Sequence, residues 1–165
     1  MTKKIVFFNE LSEDAKEKAR NWYKDGNDYD FLDEYMTEIV AENLKELGYM
    51  VEDLKVFYSL SYSQGDGVSF VCKLVEGLEV YEVNQGGSYV HEMTMSIYHE
   101  DENGNETDGE KEKNLLVEVR NIAKKAEKAG YEYIESEDSN ENIDATILAN
   151  EYTFTLEGER MNPDA

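Results

Sequence analysis

Cysteine, proline and tryptophan are nearly absent from this sequence, which has one residue of each. A single cysteine, Cys72, permits neither an intrachain disulfide nor a multi-cysteine zinc site. No apolar run approaches the roughly 18 residues of a membrane span. Residues 5–8 (IVFF) are too short to form the apolar core of a secretion signal. We therefore expect a cytoplasmic protein with no membrane contact.

Basic residues are scarce as well, and they are spread unevenly. The 165 residues include 38 Asp and Glu against 16 Lys and Arg, a formal net charge of −22. Residues 74–110 hold ten acids and no Lys or Arg, and residues 25–66 and 129–165 each carry a net charge of −9. Because phosphate repels such a surface, we expect no direct binding of nucleic acid or anionic membrane, and we expect basic partners instead.

Enough apolar residues remain to build a folded domain. The chain is 40% hydrophobic and 12% aromatic, which is unlike a disordered acidic tail. Its length predicts one domain over residues 1–165, with residues 158–165 frayed. The order of periodic segments predicts an α+β fold, with an antiparallel sheet of about four to six strands packed against two to four helices. Strand patterns cover Lys3–Phe8, Val51–Tyr62, Val68–Val75, Leu78–Val83 and Tyr89–His99, and Glu151–Glu157 is a final short strand or an extended tail. Helical patterns cover residues 13–25, Asp28–Gly48, Asn114–Ala129 and Asn142–Leu148.

The segment Asp28–Gly48 predicts an amphipathic helix with two unlike faces. Asp28 is the expected N-cap and Gly48 the expected residue after the C-cap. Acids recur at every fourth residue opposite the apolar face, each step rising about 6 Å along the axis. Like charges at this spacing destabilise a helix by a few tenths of a kcal/mol per pair, so the pattern indicates a use for the charge. The five acids are Asp30, Glu34, Glu38, Glu42 and Glu46.

A second acidic segment, Glu100–Glu110, predicts a polar loop built on Asn103 and Gly104. It resembles a calcium loop in composition only, because an EF-hand needs acids at fixed positions between two helices. We expect no specific metal site here. Its candidate partner-binding residues are Glu100, Asp101, Glu102 and Glu106.

Residues Gln64, Gly65, Asp66 and Gly67 predict a tight hairpin turn between two strands. The glycines supply positive φ angles and Asp66 fits beside them. A contact from Asp66 to a cation or to a partner amide is the alternative. The pattern is not a phosphate-binding loop, since no helix and no lysine follow it.

Neither the histidines nor the cysteine suggest catalysis. His91 and His99 fall on one predicted strand, about 26 Å apart by strand rise, so they cannot share a metal ion. Cys72 lies in an apolar strand and is expected to be an inert, packed thiol. No nucleophile–base pattern stands out. We expect no cofactor, no metal and no enzymatic activity.

Three separated segments resemble one family of small phage and prophage proteins. They are FNELSEDAKEKARNWY (8–23), FYSLSYSQGDGVSF (57–70) and EYIESEDSNENIDATILANEYTF (132–154). The family typically shows LSxEAKxxA, SQGDGxSF and NEYxF blocks, although the run before SQGDG differs here. The resemblance implies expression in the cytoplasm of a bacterial host, and it brings no catalytic residues.

Charge and resemblance together predict an anti-defence protein, most specifically an anti-CRISPR that acts by acidic DNA mimicry. Its partner would be the basic nucleic-acid-binding surface of a CRISPR effector or restriction enzyme. A first alternative is a phage regulatory module that binds a host protein through aromatic strands, with the acid serving solubility. A second is an enzyme or metal protein centred on Gln64 and Asp66. The aromatic residues of the first alternative are Phe57, Tyr58, Tyr62, Phe70 and Tyr81.

Overall fold

A computed structural model of the chain describes residues 4–27, 29, 31–87 and 89–161. It shows helices and antiparallel sheets, which confirms the predicted α+β class, with the strands divided between two sheets. The helices are α1 (Glu13–Asp25), α2 (Leu32–Glu46), α3 (Glu110–Glu137) and α4 (Asn140–Ala149). The strands are β1 (Val6–Phe7), β2 (Met50–Ser59), β3 (Gly67–Glu76), β4 (Glu79–Gln85), β5 (Met95–Tyr98), β6 (Thr153–Phe154) and β7 (Arg160–Met161).

The chain divides into two compact units. The first combines Met1–Asp30 with Tyr133–Ala165, and the second is Phe31–Glu132. The expectation of one domain over residues 1–165 stays a prediction.

The first unit is built around a small antiparallel sheet of order β1-β6-β7. Ser12 caps α1, since its hydroxyl accepts a hydrogen bond from the Ala15 amide. Arg20 of α1 binds Asp144 of α4 through two hydrogen bonds of 2.7 and 2.8 Å. The core of this unit comprises Val6, Phe8, Leu11, Ala15, Ala19, Ile143, Ile147 and Phe154.

The tail expected to fray contributes a strand instead. β7 pairs with β6 through Thr153–Met161 and Phe154–Arg160. Gly158 lies in the connecting turn at φ +92°, and it is buried against α1. Residues 162–165 lie outside the described residues.

The second unit contains a four-stranded antiparallel sheet of order β2-β3-β4-β5. The predicted hairpin between β2 and β3 is present, with Ser59 opposite Gly67. One face of the sheet is buried through alternate residues, including Phe70, Leu74 and Val83. None of the helices that the structure describes is long and apolar enough to cross a membrane.

The strand predicted over Tyr89–His99 is wrong in its first half. Residues Glu92–Thr94 form a 3₁₀ turn, and β5 begins only at Met95. The His91 ring accepts a hydrogen bond from the Met93 amide, and the Thr94 hydroxyl donates to the His91 carbonyl. These local bonds replace the ladder of a longer strand.

The helical pattern predicted over Asn114–Ala129 is shorter than α3 at both ends, and Gly130 does not terminate the helix. The helix continues to Glu137, and Gly130 is buried within it. A Cβ at this position would lie 2.6 Å from Leu60 Cδ1 and 3.1 Å from Met36 Sδ. Glycine therefore makes room for these two side chains instead of breaking the helix.

Candidate partner-binding surfaces

The acidic row of α2 is held by a buried apolar row on the same helix. Leu32, Met36, Val40 and Leu44 recur every four residues and are at most 4% exposed. Two residues after each of them comes an exposed glutamate, about 200° further round the helix. We name these four residues the α2 row: Glu34, Glu38, Glu42 and Glu46.

The start of the helix differs from the prediction, whereas its end agrees. α2 begins at Leu32, with Phe31 in the N-cap position and no side-chain cap. Asp28 and Asp30, the expected cap and the first expected acid, lie outside the described residues. At the other end, Gly48 follows the C-cap with φ +94°, and its amide donates to the Lys45 carbonyl.

None of the four α2-row carboxylates forms an ion pair with another residue that the structure describes. From Glu34 to Glu46 the helix rises about 18 Å, so the row carries one charge per ~6 Å. One DNA strand carries a phosphate every ~3.4 Å of axis. The α2 row therefore has about half the linear charge density of a single strand, and it needs other acids to complete a nucleic-acid-like field.

The second predicted patch lies in the loop between β5 and α3, and all four of its acids are exposed. Asp101 Oδ1 accepts hydrogen bonds from the amides of Asn103 and Asn105, at 2.9 and 3.0 Å. Glu100 and Glu106 pair across the loop as an isolated β-bridge. We name Glu100, Asp101, Glu102 and Glu106 the loop patch.

The two acidic regions adjoin opposite edges of the four-stranded sheet. α2 packs against β2, whereas the loop patch follows β5. Three strand spacings of about 4.8 Å separate these edge strands, about 14 Å in all. The α2 row and the loop patch therefore adjoin different edge strands of this sheet.

Asp66 is the centre of a hydrogen-bonded loop, which supports the structural interpretation of QGDG. The connection between β2 and β3 is seven residues long, so the tight turn predicted at residues 64–67 is wrong in length. Asp66 Oδ2 accepts from the amides of Ser61 and Ser63 and from the Tyr131 hydroxyl, at 2.6, 3.0 and 2.6 Å. Asp66 Oδ1 accepts from the hydroxyls of Ser59, Ser61 and Ser63, each at 3.0 Å.

These bonds determine the chemistry of Asp66. The hydrogen bond from Tyr131, with those from Ser63 and Ser61, outweighs burial and holds the pKa of Asp66 far below its usual range. Six donors already occupy the two oxygens. A group in this state is a poor general base and has little capacity to bind a cation. The enzyme or metal reading of Gln64 and Asp66 gains no support from this geometry.

The glycines beside Asp66 serve the loop. Gly65 adopts φ +91°, as predicted for a glycine in a turn. A Cβ at Gly67 would lie 3.0 Å from the His91 Cα, so this glycine permits a close approach of two backbone segments. Gln64 is exposed at the tip of the loop.

The buried His99 ring forms a hydrogen-bond network that the sequence did not reveal. Its Nε2 lies 2.5 Å from Glu79 Oε2, and its Nδ1 lies 2.6 Å from Thr107 Oγ1. The Thr107 hydroxyl donates its proton to Glu112 at 2.8 Å, so it accepts from His99. The His99 ring therefore links Glu79 of β4 to Thr107 and Glu112 at the base of the acidic loop.

Glu112 is stabilised as a carboxylate in this network. Burial raises its pKa, but hydrogen bonds from Thr107, from its own backbone and from the Gly109 amide, together with the nearby His99, lower the pKa overall. Because Glu79 and Glu112 bind opposite nitrogens of one ring, the three side chains cannot converge on one ion. No group of three or more His, Cys, Asp or Glu suited to a metal ion occurs among the described residues.

Cys72 and two of the aromatic candidates are inside the protein. Burial raises the pKa of the Cys72 thiol to about 12, as expected of an inert cysteine. Phe70 is fully buried and Tyr81 is 3% exposed. These two rings cannot contact a partner, so the predicted aromatic surface is wrong at both positions.

No protein-family model, no curated protein and no solved structure matches this chain.

Proposed function

We propose that this protein is a non-catalytic inhibitor that binds the basic nucleic-acid-binding surface of another protein. The observation that carries the proposal is the α2 row, which is exposed, without ion pairs among the described residues, and fixed by a buried apolar row. A helix selected for stability alone would alternate acids with bases at this spacing. In α2, four glutamates instead follow one another at intervals of four residues.

The mechanism is electrostatic competition. A channel lined by Lys and Arg binds DNA largely through phosphate, with release of counterions. Carboxylates held on a folded helix offer the same sign of charge without losing much conformational entropy on binding. Because the α2 row has only about half the charge density of one strand, other acidic regions of the surface complete the footprint.

The resemblance to phage proteins supports a defence protein of the bacterial host as the target. The first class to test is a CRISPR effector, whose basic surface reads the short duplex next to the target. A restriction enzyme is the second class. Both act in the bacterial cytoplasm, where the inhibitor would meet them.

The test is a cleavage assay with purified, guide-loaded Cas9-type effectors and restriction enzymes, with the full chain as inhibitor. We expect inhibition that excess target DNA relieves, because inhibitor and DNA compete for one surface. The variant E34K/E38K/E42K should lose inhibition while its circular dichroism melting curve stays cooperative.

A matched control separates position from total charge. The variant E118K/E132K/E157K changes the net charge equally, at exposed acids without ion pairs in the described structure. It should inhibit like the unmodified chain. Equal inhibition by the two triple variants would reject the α2 row as the binding site, and an effector that binds inhibitor and DNA together would reject mimicry.

A further inference from the structure

An open cleft lies on the outer face of the second unit's sheet, where β4 and β5 pair. Side chains at alternate positions of a strand share a face, which places Val80 and Glu82 together. Tyr98 of β5 is directly opposite Glu82 in the register. The cleft is lined by Leu78, Glu79, Val80, Glu82, Tyr98, Glu100 and Asp101.

One side of the cleft, formed by Leu78 and Val80, is apolar and exposed. Gly77 and Leu78 form the two-residue turn between β3 and β4, with Gly77 at φ +62°. Leu78 at the tip is fully exposed, and Val80 is 42% exposed. A hairpin tip is commonly polar, so a fully exposed leucine beside an exposed valine offers an apolar contact that none of the described residues covers.

The rim of the cleft is acidic. The Tyr98 hydroxyl donates a hydrogen bond to Glu100 Oε1. That bond, together with burial and the charges of Glu106 and Glu82, raises the pKa of Tyr98 to about 12. Several carboxylates therefore converge on one phenol.

One rim carboxylate, Glu79, already contacts His99 Nε2 at 2.5 Å, and the other three lack such a partner among the described residues. None of Glu82, Glu100 and Asp101 forms an ion pair within the part of the chain that the structure describes. Lys73 lies opposite Glu82 in the register, but its ammonium group is 3.9 Å from Asp53. A cation from outside the protein would therefore relieve the repulsion among Glu82, Glu100 and Asp101.

We propose that this cleft binds an arginine side chain of the basic partner. The aliphatic stem would lie over Leu78 and Val80, and the guanidinium would reach Glu82 and the remaining oxygens of the loop patch. A planar guanidinium can also stack on the Tyr98 ring, and it is less strongly hydrated than an ammonium group. The inference rests on the proposed function only in requiring a basic partner.

A divalent metal ion fits the cleft less well. Glu100 Oε1 and Asp101 Oδ1 already accept hydrogen bonds from the protein. Calcium needs six to eight oxygen ligands, and the apolar side formed by Leu78 and Val80 supplies none. Charge complementarity combined with an apolar side is the pattern that an arginine matches.

The test is a titration of the ¹⁵N-labelled full chain, followed by amide chemical shifts. The probes are three capped tripeptides, Gly-Arg-Gly, Gly-Lys-Gly and Gly-citrulline-Gly. We expect the arginine peptide to shift amides of β4, β5 and the loop patch, the lysine peptide to bind more weakly, and the neutral citrulline peptide to cause no shift. Magnesium chloride at the same concentration should leave the cleft amides unchanged.

Variants locate the contact. E82Q should weaken binding of the arginine peptide about two- to fivefold, the range of a surface charge pair. V80E should weaken it through the lost apolar side, although it adds an acid. The control D108N removes one exposed acid outside the cleft and should bind like the unmodified chain.

The outcomes separate this inference from the proposed function. Shifts confined to the α2 row, or equal binding of E82Q and D108N, would overturn the cleft assignment and leave the proposed function standing. Arginine binding at the cleft by a chain that inhibits no nucleic-acid-binding effector would support the cleft and overturn the proposed function. Equal shifts with arginine and citrulline would reject charge recognition.

Discussion

At the scale of single residues, Asp66 shows how one carboxylate can order a loop. It accepts three backbone or phenolic donors on one oxygen and three serine hydroxyls on the other. Tyr131, which reaches it from α3, also accepts a bond from the Tyr62 amide. The loop is thereby tied to the helix at two points.

Substitution of Asp66 should destabilise the loop in a graded way. D66N keeps one acceptor oxygen for the rigid amide donors, and the serine hydroxyls can turn to accept from its amide group. D66A loses all six bonds. We expect the Tm from circular dichroism to fall for D66N and to fall further for D66A, with Q64A unchanged. Equal Tm values for all three variants would contradict this role.

The same residue predicts a dependence on acid. The pKa of Asp66 is lowered in the folded state, so its contribution is present above the unfolded pKa of about 3.9 and is lost as pH falls towards the folded pKa. The difference in unfolding free energy between the unmodified chain and D66N should be constant from pH 7 to about pH 5 and should shrink below about pH 4. Urea titrations across this range measure it. A difference that grows in acid would be incompatible with the assigned bonds.

Gly158 provides a second test at the residue scale. It has φ +92°, and a Cβ would lie 2.2 Å from the Ala15 carbonyl oxygen. Gly48 has a similar φ of +94° with open space around it. We expect G48A to cost about 1–2 kcal/mol for the left-handed conformation alone. G158A should cost about 1–3 kcal/mol more, because backbone must move. Similar urea-unfolding free energies for the two variants would show that the clash is not real.

At the scale of elements, α2 combines a stabilising face with a destabilising one. Its buried residues follow a strict four-residue spacing, and so do its exposed glutamates. Each neighbouring glutamate pair repels by about 0.2–0.5 kcal/mol. The helix therefore depends on burial of its apolar face.

A single charge reversal should separate stability from binding. In E38K, repulsion towards Glu34 and Glu42 becomes attraction in two pairs, which should raise the unfolding free energy by about 0.8–2 kcal/mol. E38Q, which only removes repulsion, should gain about half as much. Inhibition should fall in the order unmodified, E38Q, E38K. A destabilised E38K would mean that Glu38 has a structural role that the static geometry does not show.

Elements with a local signal could be predicted from the sequence. Ser12 before two acids and Gly48 after the last apolar residue mark helix ends through their own backbone chemistry. The start of α2 was misplaced because Asp28 also matches a capping pattern, although the helix begins at Leu32. Gly130 matches a helix end in the same way, and only the packing of Leu60 and Met36 explains it.

The candidate sites also differ in whether a local sequence pattern predicts them. Glutamates at a helical spacing predict an exposed row, because the apolar residues of an amphipathic helix face the core and its acids then lie on the opposite, exposed face. The His99 network and the Asp66–Tyr131 bond join residues from 8 to 65 positions apart along the chain. No local pattern encodes such pairs. The sequence also could not show that both carboxylate oxygens of Asp66 already accept three hydrogen bonds each.

At the scale of the whole molecule, the formal net charge of −22 favours association with basic surfaces and opposes self-association. Net charge alone does not select a site, since every acidic region attracts cations at long range. Selection requires carboxylates that are fixed in place. The α2 row meets this requirement through its buried apolar row, and the loop patch through backbone bonds to Asp101.

The central claim is that the α2 row occupies a basic nucleic-acid groove, and its most direct test is the salt dependence of binding. Affinity of the full chain for a guide-loaded Cas9-type effector would be measured by calorimetry at about 50 and 200 mM NaCl. Four carboxylates acting as phosphates, each contributing at most the single-strand slope of about 0.7, predict a loss of affinity of up to about 50-fold over that range. E34K/E38K/E42K should bind weakly at both salts, and E118K/E132K/E157K should follow the unmodified chain. Affinity that does not change with salt, or that survives reversal of the α2 row, would contradict the account.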